Sequence, residues 1–161
     1  VIVKDFKNPG YQAGAIQSVK DAFGSKGAQE HWFDDYDWVM KTNPDTLLIH
    51  DKWILKTMND NSTDAIFHDC GALALHSDFF MVRPRAVNVS AFDFFTMTKQ
   101  FPTAEMHLYQ AFTNIRRSMR YKWLQGAAGS LGVCRMRGPK SPVAHNHELW
   151  RYCPDYIKAW V

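Results

Sequence analysis

An α/β fold, with a mixed but mostly parallel sheet flanked by helices, is the class predicted by three features of this sequence. Short strand-like runs alternate with amphipathic helical runs along most of the chain. Hydrophobic residues make up 46% of the 161 positions, enough to bury a core without staples, while 9 Gly and 7 Pro are too few for a collagenous or low-complexity chain. No internal repeat or linker-like stretch divides the sequence, which predicts a single domain over residues 1–161.

Val1 to Phe6 reads as a short strand, and Asn8-Pro9 then offers an N-cap with Pro at the first helical position. Tyr11, Ala15, Val19, Ala22 and Phe23 recur at helical spacing, so a helix is expected as far as Phe23, where Gly24 stops it. Ser25 to Gly27 then form a turn, and a short helical piece is expected over Gln29 to Phe33. Tyr36, Trp38 and Met40 alternate with Asp37, Val39 and Lys41, which predicts a largely apolar, central strand from Tyr36 to Thr42 that Pro44 ends. Leu47 to Ile49 is a brief extended run. Asp51 is placed to cap a helix carrying Trp53, Ile54, Leu55 and Met58, and Asp60 to Thr63 make a polar turn. Ala65 to His68 and Phe79 to Val82 read as strands, the second closed by Arg83-Pro84. Ser90 and Asp93 have capping-box spacing, and Thr103 is a cap for one long helix from Ala104 to about Trp123. Gly and Pro punctuate Gln125 to Pro142, leaving strand character only over Leu131 to Met136.

Charge is divided unevenly. Residues 1–80 carry 7 Lys/Arg against 12 Asp/Glu, and residues 81–161 carry 12 against 4. The acidic half suits a cation and the basic half an anion. Nucleic acid is not the expected anion: Arg116, Arg117, Arg120 and Lys122 share one stretch without interleaved Gly-rich or aromatic base-stacking repeats. No apolar run approaches the roughly 20 residues of a membrane helix, so no membrane segment is expected in this chain. The opening residues also lack the pattern of a signal peptide, and a chain that starts at Val1 in patterned sequence is expected to be a processed or truncated product.

The most informative run is Asp37-Trp38-Val39-Met40-Lys41-Thr42-Asn43-Pro44-Asp45. A hydrophobic strand ending in two polar residues beside Pro sets their side chains at the carboxyl edge of a sheet, where open α/β sheets bind ligands. Carboxylate and amide oxygens are hard ligands suited to Mg²⁺ or Mn²⁺. The same triplet is also a good turn.

This segment resembles that of the GT-A-fold glycosyltransferases, which use nucleotide-diphosphate sugars and carry an acidic Asp-x-Asp where this chain has Asn43-Pro44-Asp45. The resemblance extends over roughly residues 8–147. Asn8-Pro9-Gly10-Tyr11-Gln12-Ala13-Gly14-Ala15 is similar to the family's Asn-x-Gly turn and small-residue helix. His76 to Arg83 is similar to the strand that presents groups to donor or acceptor. Glu105 stands where an acidic residue opens a helix, and His145-Asn146-His147 where a late metal-binding His lies. Asn43 departs from the pattern, and too little chain precedes Val1 to hold the family's nucleotide-base-binding strands.

What the resemblance implies is a sugar transfer from a nucleotide-sugar donor to a carbohydrate or glycoconjugate hydroxyl, assisted by Mn²⁺ or Mg²⁺. Asn43, Asp45, His145 and His147 are the implied metal ligands. Glu105 is the implied general base, with Asp78 and then Asp69 as secondary candidates. Asn8, Gly10, Lys41 and Arg83 are the implied donor-binding residues. Glu105 is equally well placed to complement a helix dipole, and Arg83 to be an ordinary surface Arg. The family also implies a Golgi-lumen setting. Two N-glycosylation sequons, Asn61-Ser62-Thr63 and Asn88-Val89-Ser90, fit the secretory pathway.

Two other readings stand beside this one. A non-catalytic carbohydrate- or partner-binding module on the same scaffold is motivated by Asn43 and the short start. Alternatively, His145 and His147, two apart on a strand, join Cys134 and Cys153 as a structural zinc site, or those two Cys pair as a disulfide with Cys70 free.

Overall fold

A computed structural model of the protein describes residues 8–43, 45–69, 73–94, 103–124 and 142–145. Its elements are α1 (Tyr11–Phe23), α2 (Ser25–Gln29), β1 (Val39–Thr42), β2 (Thr46–Leu48), α3 (Lys52–Met58), β3 (Ala65–Asp69) and β4 (Leu75–Val82). A 3₁₀ turn (Pro84–Ala86), α4 (Val89–Asp93), α5 (Ala104–Ala111), α6 (Thr113–Arg117), β5 (Tyr121–Trp123) and β6 (Val143–His145) follow. The architecture is α/β, with a four-stranded mixed sheet in the order β1-β4-β3-β5 flanked by helices, and β2 and β6 forming a separate pair.

The expected predominance of parallel strands is corrected. Only β3 and β5 run parallel, whereas β1–β4 and β3–β4 are antiparallel. The reason lies in the connections. β3 and β4 follow one another too closely for a crossover, which takes a dozen or more residues, while the stretch containing α4, α5 and α6 supplies one before β5. β1 is likewise an edge strand rather than a central one, with Met40 46% exposed on its outer side. Tyr36 to Trp38 precede the strand rather than belonging to it.

Helix boundaries moved for identifiable reasons. The cap of α1 is Gly10, at φ 119°, a conformation that favours glycine, and Asn8 Oδ1 accepts the Gly10 N–H at 2.9 Å instead of capping the helix itself. Gly24 ends α1 as expected, but the chain re-enters helix immediately as α2, where Asp93 accepts from both the Ser25 N–H and its hydroxyl. That bond takes Asp93 away from the capping box expected with Ser90; Asn88 precedes α4 instead. Thr103 caps α5 by accepting from the Met106 N–H at 3.3 Å, as its position predicts. The single long helix beyond it does not form. It breaks at Phe112 (φ −88°, ψ 20°), and Met119 at φ 57° turns the chain into β5. Strands expected over Val1 to Phe6 and Leu131 to Met136 lie outside the described residues.

Apolar residues cover both faces of the sheet. Ala65, Phe67, Phe80 and Val82 meet Ile16, Val19 and Phe23 of α1, Phe92, and Leu108, Phe112 and Ile115 on one face. Ile66, Phe79 and Met81 meet Ile54, Leu124 and Val143 on the other, with Trp38 and Trp53 packed against them. The alternation of β3 and β4 between these clusters is the period-2 signature of strands buried on both sides.

Candidate functional site

The sheet brings the carboxyl end of β1 beside the first half of β4. Thr42 pairs with Phe79, and the Asn43 N–H continues the ladder to the Asp78 carbonyl at 2.9 Å. There β4 is irregular: Phe67 pairs with Phe80, but Asp69 pairs with Leu75, so β4 bulges over His76, Ser77 and Asp78. Bulges of this kind redirect side chains and recur next to active sites. The amino ends of two helices meet the same place, since Gln12 Oε1 of α1 accepts the Ala104 N–H of α5 at 2.7 Å.

Four residues singled out in the sequence, Lys41, Asn43, Asp78 and Glu105, converge at this point around Ser77. Lys41 Nζ donates to Asn43 Oδ1 and to the Ser77 carbonyl, and Asn43 Nδ2 donates to Asp78 Oδ1. Ser77 Oγ donates to Glu105 Oε1 at 2.5 Å. Burial pushes the Lys41 pKa below its ordinary value, and the nearby Asp78, Asp45 and Glu105 oppose that shift without cancelling it. Tyr11, with its pKa raised by desolvation and then by Asp78, Glu105 and Asp45, joins the same electrostatic group. A cleft of about 280 Å³ opens here, lined by Tyr11, Gln12, Gly14, Asn43, Ser77 and Asp78 among others. The fold has a larger cavity, about 580 Å³, between Phe23, Phe33, Tyr36, Pro84 and Val87, but none of the implied metal ligands, bases or donor-binding residues named above lines it; Arg85, which the sequence offers beside Arg83 as a phosphate contact, does. Chemistry, not size, therefore identifies the smaller cleft as the candidate.

The remaining candidates fall in different places. Asn8 and Gly10 build the turn that starts α1, and the Asn8 side chain lies so close to Gly14 that a Cβ there would be 2.0 Å from Asn8 Oδ1. His145 ends β6, its backbone paired with Thr46, one residue beyond Asp45. His147, Cys70, Cys134 and Cys153 lie outside the described residues, and with them the zinc and disulfide readings. Asp69 closes β3. Asn61 and Asn88 of the two sequons are exposed.

Arg83 is not at the cleft. It is buried, 5% exposed, at the far end of β4, where Nε donates to the Thr63 carbonyl at 3.0 Å and Nη2 to the Met58 carbonyl at 2.8 Å. Trp38 stacks over the guanidinium at 4.6 Å, and Asp64 lies 3.9 Å from Nε. Replacing Arg83 by Met is expected to cost about 1–3 kcal/mol of stability, because the buried Thr63 carbonyl loses its side-chain donor, while the Met58 carbonyl keeps Trp38 Nε1 at 3.2 Å and the Asp64 carboxylate keeps Arg120 at 2.5 Å. Denaturant titration measures it, and ligand binding at the cleft is expected to be unchanged in the folded variant.

Sequence reasoning missed the imidazoles. His76 Nδ1 lies 3.1 Å from Asp78 Oδ2, and its ring stacks on that of His68 at 4.4 Å and 11°. Both rings are buried. The signal was the His76-Ser77-Asp78 run itself, read only as part of a strand that was expected to begin three residues later.

As a cation site the arrangement is partial. The Asn43 oxygen accepts from Lys41 Nζ, and among the described residues no group of three His, Cys, Asp or Glu is placed to hold a metal ion. Asp45 and Asp78 remain as hard-oxygen donors. No described helix is long and apolar enough to cross a membrane. Comparison with protein-family models, curated proteins and solved structures found no match to this chain.

Proposed function

We propose that the protein is a glycosyltransferase of GT-A-like design that moves a sugar from a nucleotide-diphosphate donor to a hydroxyl of a carbohydrate or glycoconjugate. The observation that carries this reading is the meeting of Asn43 and Asp78 at one cleft, with Glu105 joined to it through the Ser77 hydroxyl, so that three segments far apart in sequence come together. Glu105, oriented by the Ser77 hydroxyl, takes the proton from the acceptor hydroxyl as it attacks. Asp78, held by Asn43 and facing His76, is fixed in place to position that hydroxyl. Lys41 keeps the Asn43 and Ser77 ends of β1 and β4 together. Mn²⁺ or Mg²⁺ would be held by Asp45 and Asp78 rather than by Asn43, and such an ion neutralises charge on a departing diphosphate. A Golgi-lumen setting accompanies this reading, supported by the two exposed sequons.

A second reading, a non-catalytic carbohydrate-binding module on the same cleft, is favoured by one contact. Lys41 occupies the Asn43 oxygen that the transferase family would give to a cation.

Thermal unfolding separates the two, because a ligand bound only by the folded chain raises the midpoint by mass action. UDP and GDP are each tested with and without Mn²⁺. A rise of several degrees that needs both nucleotide and metal is expected for the transferase. No rise in any combination overturns it in favour of the binding module.

A further inference from the structure

Tyr11 opens α1 and lines the cleft, and it is 78% exposed although it carries a large apolar ring. Gln12 of the same helix and Asn43, Ser77 and Asp78 of the sheet line the same cleft. An exposed aromatic face bordering a wall of carboxylate, hydroxyl and amide groups has the two properties that a sugar ring requires. The apolar C–H face of a pyranose packs on an aromatic ring, and its hydroxyls donate to carboxylates and accept from amides. The charge of the surroundings narrows the class. Asp78, Glu105 and Asp45 all act on Tyr11, and Lys41 offsets one of the three. With no divalent cation bound, an anion entering beside Asp78 therefore meets net repulsion, whereas a neutral polyol meets hydrogen-bond acceptors.

We infer that this cleft is the acceptor subsite, that the Tyr11 ring is its stacking platform, and that it takes neutral pyranosides and refuses those carrying a carboxylate. The inference rests on the sugar-transfer reading for the word acceptor only; the binding itself is independent of turnover.

The test is saturation-transfer NMR on the whole chain in buffer free of divalent cations, with methyl glucoside, methyl galactoside and methyl mannoside against methyl glucuronide as probes. Transfer to at least one neutral glycoside at millimolar concentration, and weaker transfer to the glucuronide, is the expected result. Tyr11→Ala is expected to weaken binding of the neutral glycoside roughly three- to tenfold, and Tyr11→Phe, which keeps the ring, to restore it. Circular dichroism confirms that each variant is folded, as expected at an exposed position. Equal or stronger binding of the glucuronide overturns the charge argument. Absence of binding by all four probes, or a Tyr11→Ala variant that binds as the native chain does, overturns the subsite. Glycoside binding by a chain that turns over no nucleotide sugar leaves this inference standing and removes the transferase reading, so the two fail separately.

Discussion

Phe112→Ala is expected to destabilise the protein by about 3–5 kcal/mol, the range for truncating a fully enclosed aromatic residue. Phe112 has no exposed surface, and its ring lies 5.1 Å from Phe67, 5.3 Å from Phe80 and 5.2 Å from Phe92 between centroids, with Phe23 at 6.4 Å. These four neighbours come from β3, β4, α4 and α1, so one ring ties the sheet to helices on its face. The residue also occupies the break between α5 and α6, and the break is what lets the ring turn into the cluster. A cavity there removes edge-to-face contacts as well as buried area. Urea titration should show a lower midpoint with an unchanged slope. Phe94→Ala, at a position 86% exposed, is the control and should stay within about 0.5 kcal/mol of the native chain. If both variants cost the same, Phe112 is not the centre of the core.

That aromatic cluster also shows which parts of the fold could be read in advance. The apolar spacing along Tyr11 to Phe23, the alternation in Ala65 to His68 and in Phe79 to Val82, and the Thr103 cap are local signals, and each produced the expected type of element. Strand direction is not local. Nothing within Val39 to Thr42 says whether its neighbour runs parallel, and the outcome was set by the closeness of β3 to β4. The break at Phe112 was hidden for a related reason: helical periodicity continues through Gln110, Thr113 and Asn114, and only the Phe rings of distant elements reward interrupting it. At the site, Asn43, Asp78 and Glu105 were legible as residues with suitable chemistry. Their meeting depends on the β4 bulge, which no sequence spacing announced. Arg83 was misplaced because a strand-terminal Arg looks exposed in one dimension, whereas Trp38 and two carbonyls enclose it in three.

Glu105→Gln is the substitution with the largest expected effect on activity, a loss of about 10²–10⁴-fold in kcat, the contribution of a positioned general base. Glu105 sits in the first turn of α5, where a negative charge also complements the helix dipole. The two roles predict different patterns. A dipole role is worth about 0.3–1 kcal/mol in stability and nothing in catalysis. A base role removes turnover while the glutamine, of the same size and still able to meet the Ser77 hydroxyl, leaves the fold and substrate binding nearly intact. The decisive comparison is therefore kcat against KM and midpoint in the same variant, assayed with a nucleotide-sugar donor of the kind the proposed transfer requires. Ser77→Ala refines it. If the 2.5 Å hydrogen bond from Ser77 Oγ orients the Glu105 carboxylate, its loss lowers kcat by less than the glutamine does, and adds little when both changes are combined. A Glu105→Gln variant that keeps turnover within tenfold of the native chain while losing thermal stability would return Glu105 to the helix dipole. Asp78, buried and fixed by Asn43, would then be the carboxylate to test next as base.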